Sequence, residues 1–145
     1  MSECYPYTTI VGAHELGYED ERPRYKRAPR GMPAAQAWPL RTSACDELIR
    51  RIASLVDADP PMDLTSHPTT RDLVEQPSPA AKKPYKDRED LLDAAICAWT
   101  ASLWHRHGTD RCQILGEVDS KDMQGLRATI IAPARNTQRP AAAGR

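Results

Sequence analysis

The chain has 145 residues, enough for one modest domain with a real core, and its 20 Lys and Arg balance 20 Asp and Glu. That balance excludes a protein held to nucleic acid by bulk charge, while leaving room for a local basic patch. With no Phe and 13 Pro, the core must rest on Leu, Ile, Val, Ala and three Trp. No apolar run reaches the roughly 20 residues of a membrane-spanning helix, and no stretch reads as a signal peptide. The four cysteines (Cys4, Cys45, Cys97, Cys112) form no Cys-x-x-Cys, which argues against a zinc knuckle. A cytoplasmic protein with reduced thiols and no membrane partner is expected.

Ser2-Glu-Cys-Tyr-Pro6 reads as a strand stopped by its proline, with Glu3 and Tyr5 on one side and Cys4 on the other. It has no hairpin partner nearby, so its neighbours must lie far along the chain. Thr8 or Thr9 can cap a short helix that ends at Gly17. Residues 18–33 are polar; acids at Glu19 to Glu21 are followed by Arg22-Pro-Arg-Tyr-Lys-Arg-Ala-Pro-Arg30, a pattern of solvated loops. Leu48, Ile49, Ile52, Leu55 and Val56 recur at helical spacing and predict a helix over Arg41–Asp57. A short helix through Arg71, Leu73 and Val74 follows His67 and closes at Pro77. A long helix is expected from Asp87 to His107, ended by Gly108. Two strands, Arg111–Gly116 and Leu126–Ile131, follow as a C-terminal hairpin connected through residues 117–124, and an Ala/Pro/Arg-rich tail over 133–145 reads as disordered.

The long helix is the most informative element. It is apolar over most of its surface, which predicts burial, with Leu92, Ile96, Trp99 and Leu103 on one face. Asp87, Glu89 and Asp90 suit a first turn, where acids oppose the dipole and Asp87 can cap. Asp93 lies deeper. An ionised carboxylate there must be paired, hydrogen-bonded or bound to a metal. Asp90 and Asp93 are three apart and share a face, a geometry that can hold a hard divalent cation. Arg24, Tyr25 and Lys26 read either as solvated loop or as phosphate contacts with Tyr25 stacking on a base. Lys86 and Arg88 read either as ion-pair partners of the neighbouring acids or as phosphate anchors.

Three blocks carry a resemblance: Arg71-Asp-Leu-Val-Glu-Gln-Pro-Ser-Pro79, Tyr85-Lys-Asp-Arg-Glu-Asp-Leu-Leu-Asp-Ala-Ala-Ile-Cys-Ala-Trp-Thr-Ala-Ser-Leu-Trp104 and Gly108-Thr-Asp-Arg-Cys-Gln-Ile-Leu-Gly116. Together with the Glu-x-Tyr-Pro strand and the basic Arg24-Tyr-Lys26 loop, they resemble the C-terminal portion of the domain-of-unknown-function 429 family, predicted nucleases with an RNase H-like fold. The resemblance spans about residues 2–132. It implies an α/β chain with a partial RNase H-like fold: a long buried helix on a small, incomplete sheet, with a C-terminal β-hairpin at its edge. It also implies a metal-dependent nuclease that hydrolyses phosphodiester bonds in nucleic acid, with Glu3, Asp90 and Asp93 as catalytic ligands of Mg²⁺ or Mn²⁺ in a two-metal scheme.

The family's opening strands and first-strand Asp have no counterpart here, so a truncated and inactive form is one expectation. The alternative is a non-catalytic interaction module or split-domain partner. It would pair through an open sheet edge with its own copy or with a separately encoded N-terminal half. A helical DNA-binding regulator is disfavoured, because the long helix is too apolar to serve as an exposed recognition helix.

Overall fold

A computed structural model describes residues 2–116 and 129–139 of the protein. The chain divides into two units, residues 1–20 with 96–145, and residues 21–95, where the sequence reads as one domain over 1–132. Among the described residues, four helices and a three-stranded mixed sheet make it an α/β protein. Among the described residues no helix is long and apolar enough to cross a membrane.

In the first unit, strand β1 (Ser2–Cys4) stops ahead of Pro6, and the same proline opens helix α1 (Pro6–Gly12). A missing N–H costs nothing at the first helical position, where that donor would be unpaired in any case. The helix therefore starts before Thr8 and Thr9, the residues expected to cap it. Thr8 instead donates its hydroxyl to the Tyr5 carbonyl at 2.7 Å. Thr9 is buried, with its hydroxyl 2.7 Å from that of Thr100. A short 3-10 turn, His14–Leu16, ends at Gly17, whose φ of 64° suits a residue without a Cβ.

The partner of β1 does lie far along the chain. Strand β1 runs parallel to β3 (Thr129–Pro133), with Glu3 opposite Ile130 and Cys4 opposite Ile131. Strand β2 (Cys112–Leu115) runs antiparallel to β3, and the order is β1-β3-β2. The expected antiparallel pairing of the two C-terminal strands holds, but only β2 lies at the edge: β3 is the central strand. Its Ile130-Ile-Ala132 run is apolar on both faces, whereas β2 carries Gln113. Residues 126–128 of the expected strand, and the 117–124 connection, lie outside the described residues. The tail does not begin at 133 either. Pro133 belongs to β3, Ala134 is buried and donates to the Arg111 carbonyl at 2.8 Å, and Asn136–Gln138 form a 3-10 turn.

In the second unit, helix α2 (Ala34–Ala53) begins about two turns before the expected Arg41, following Pro33. Pro39 sits in its early part, on the exposed side. Cys45, Leu48, Ile49 and Ile52 form its buried stripe, and Glu47 bonds Arg50 and Arg51 on the wet side, as their spacing predicts. Leu55 is buried in the 3-10 turn that follows, while Val56 is exposed, contrary to its place in the predicted stripe. The tighter turn rotates Val56 away from the α-helical phase. Helix α3 (Pro68–Glu75) is capped by His67, whose Nδ1 accepts from the Thr69 N–H at 3.2 Å. Helix α4 (Lys82–His107) begins in this unit and continues into the other.

Candidate functional site

Helix α4 starts at Lys82, five residues before the expected Asp87, because Pro84 falls in its first turn and is tolerated there. Asp87, Glu89 and Asp90 therefore lie in the second and third turns, too deep to cap the helix. Its buried stripe is Tyr85, Glu89, Leu92, Ile96, Trp99 and Leu103, alternating four and three apart. Ala94, Ala98, Ala101 and Ser102 are exposed, so α4 is amphipathic, not buried all round. Among the described residues the most deeply buried acid is Glu89, at 6% exposure, whereas Asp93 is half-buried.

The second unit builds a polar network around these acids. Tyr25 donates its phenolic O–H to Asp93 Oδ1 at 2.8 Å, and the Lys26 ammonium pairs with Oδ2. Both carboxylate oxygens are thus met by consecutive residues of the basic loop. Glu89 lies between Lys86, 3.1 Å from Oε1, and Arg41, 3.5 Å from Oε2. Tyr85 places its hydroxyl 2.6 Å from the Tyr25 carbonyl and 3.0 Å from that of Arg41, so its single proton ties the loop to α2. Burial pushes the Tyr85 phenol well above its ordinary range, with the adjacent Cys45 thiol adding to the shift, so it stays a neutral donor. The Arg41 guanidinium lies 4.9 Å from the ring centres of both Trp38 and Tyr85.

Each residue singled out in the sequence has a definite place. Asp93 is paired and hydrogen-bonded, two of the three outcomes its setting allowed. Asp90 is exposed and bonded to Lys86 at 2.5 Å, and the bonds to Asp90 and Glu89 raise the Lys86 pKa. Glu3 is exposed on β1, in the first unit. Tyr25 is fully buried, and its ring belongs to the core. Arg88 donates to the carbonyls of Asp72, Leu73 and Gln76 at 3.2, 2.6 and 2.5 Å, and to Ser78 Oγ at 3.1 Å, a cation capping the α3 C-terminus. Arg24 is exposed.

The sequence reading missed Glu89 as the buried acid, and Arg41 and Tyr85 as its neighbours. The four-three stripe of α4, extended one heptad towards the N-terminus from Leu92, would have found Glu89 and Tyr85.

Asp90 and Asp93, the helix acids expected to hold Mg²⁺ or Mn²⁺, are each ion-paired, with Lys86 and Lys26. Among the described residues no three His, Cys, Asp or Glu side chains converge as metal ligands. A cation at Asp93 would have to displace an ammonium and a phenol that already answer its charge. Neither a scan of protein-family models nor searches of the curated proteins and of the solved structures finds a match to this chain.

Proposed function

We propose that this chain is the C-terminal portion of an RNase H-like, nuclease-type domain that acts by association, as a split-domain partner, and does not hydrolyse phosphodiester bonds alone. The observation that carries this reading is the closure of Asp93 by Tyr25 and Lys26 within one unit. Support comes also from β1. It pairs with β3 on one side, and among the described residues no strand takes its other edge. Such an edge presents unpaired N–H and C=O groups to an incoming chain. The occupant we assign is a strand from a second chain, such as a separately encoded half of the fold. Four free thiols suit a reducing compartment such as the cytoplasm.

The full nuclease reading rests on Asp90 and Asp93 sharing a face of α4, where Mg²⁺ or Mn²⁺ would be held with a further acid. One experiment separates the two readings. Mg²⁺ and Mn²⁺ are titrated calorimetrically into the intact chain and into Asp93→Asn, alongside cleavage assays on labelled single- and double-stranded oligonucleotides. The expected result is no saturable heat and no cut strand. Saturable Mn²⁺ binding abolished by Asp93→Asn, or metal-dependent cleavage by the chain alone, would overturn the proposal.

A further inference from the structure

Two thiols in the first unit take no part in the site above. Cys97, on the portion of α4 that belongs to this unit, donates its S–H to the carbonyl of Cys4 in β1 at 3.8 Å. The Cys4 sulfur lies 3.6 Å from the Thr9 hydroxyl, which in turn lies 2.7 Å from that of Thr100. Thr100 commits its single proton to the Ile96 carbonyl at 2.9 Å, so Thr9 donates to Thr100 and accepts from the Cys4 S–H.

Thr100 stands three residues beyond Cys97 and so shares its face of the helix. One sulfur therefore reaches from α4 to the main chain of Cys4. The other reaches from β1 towards the threonine pair that ends on that same helix face. These two independent contacts bring both thiols into the space between β1 and α4. Both cysteines are half-buried, which leaves them open to a small reagent.

The other two cysteines are shielded. Cys45 is buried in the apolar stripe of α2, in the second unit. Cys112 is buried in β2, and β3 stands between β2 and β1. Two strand spacings come to about 9.5 Å, beyond the roughly 7 Å between Cα atoms that a disulfide tolerates. Cys4 and Cys112 therefore cannot be bridged across an intact sheet.

We propose that Cys4 and Cys97 form a redox-active dithiol, which a small-molecule disulfide oxidises to a bond stapling β1 to α4. One protein thiolate attacks the reagent, forms a mixed disulfide and releases one reduced thiol. The second protein thiolate attacks the protein sulfur of that adduct and expels the other reduced thiol. The two protons lost by the cysteines end on the two released thiols, and two electrons pass from protein to reagent. In a reducing compartment the pair rests as thiols and the bond is transient. The staple fixes the strand whose outer edge the proposed association uses, but the dithiol does not rest on that reading, and its test uses the chain alone.

Oxidised glutathione is added to the intact native chain, at low micromolar protein and mildly alkaline pH. The reaction is quenched with acid, the remaining thiols are blocked in denaturant, and the peptides are mapped by mass spectrometry. The expected result is loss of two of the four thiols, with one peptide pair bridged through Cys4 and Cys97, and full recovery on reduction. Cys97→Ser should instead retain a glutathione adduct on Cys4. Four unchanged thiols, adducts that persist on the wild type without a bridge, or a bridge between any other two cysteines, within one chain or between chains, would overturn the proposal.

Discussion

The Tyr25 hydroxyl donates to Asp93 Oδ1 at 2.8 Å, joining residues 68 positions apart and closing one side of a carboxylate whose other oxygen faces Lys26. Hydrogen bonds to a charged, partly buried acceptor contribute more than neutral ones. Tyr25→Phe is therefore expected to lower unfolding free energy by about 2 kcal/mol, and Asp93→Asn by a similar amount. Because they share one bond, the double variant should lose less than the sum, with a coupling of roughly 1 kcal/mol. Urea unfolding of the four proteins measures this. Strict additivity would show that the bond contributes nothing to stability.

Gly12 meets the β3 backbone where no side chain fits. A Cβ built there would stand 2.3 Å from the Pro133 carbonyl oxygen, and the obstacle is main chain, so no rotamer change relieves it. Gly12→Ala should separate α1 from β3 and cost about 2–3 kcal/mol, although Ala is the better helix former. A denaturation midpoint equal to or above wild type would contradict this close approach.

The four free thiols should differ in reactivity. Burial pushes Cys112 up to about 11 and raises Cys45, so both are protonated at pH 8 as well as shielded. Cys4 and Cys97 are only half-buried. Maleimide labelling of the native chain at pH 8, followed by peptide mapping, should modify Cys4 and Cys97 first, and Cys45 and Cys112 only on unfolding. Early modification of Cys112 would refute its burial.

Much of the local structure is legible without coordinates. The stripes of α2 and of the C-terminal half of α4, the Pro68 start of α3, and the stop after His107 follow from periodicity and capping, which are short-range properties of the chain. Element starts near proline are less legible. Pro6 and Pro84 look like breaks in the sequence, yet a first helical turn accepts them. The place of β3 at the centre of the sheet was likewise beyond reach of any local pattern, because strand order depends on which distant segments meet.

Sequence alone determined that a carboxylate at Asp93 had to be answered, since an apolar stretch of helix cannot carry a bare charge. Only the tertiary structure decided by what. A loop nearly seventy residues away brings a phenol and an ammonium to it, and the same fold draws Glu89, which the sequence suggests only as a first-turn acid, into the deeper position. The physical reason is that desolvation is imposed by packing, and packing is assembled from residues that no local window contains.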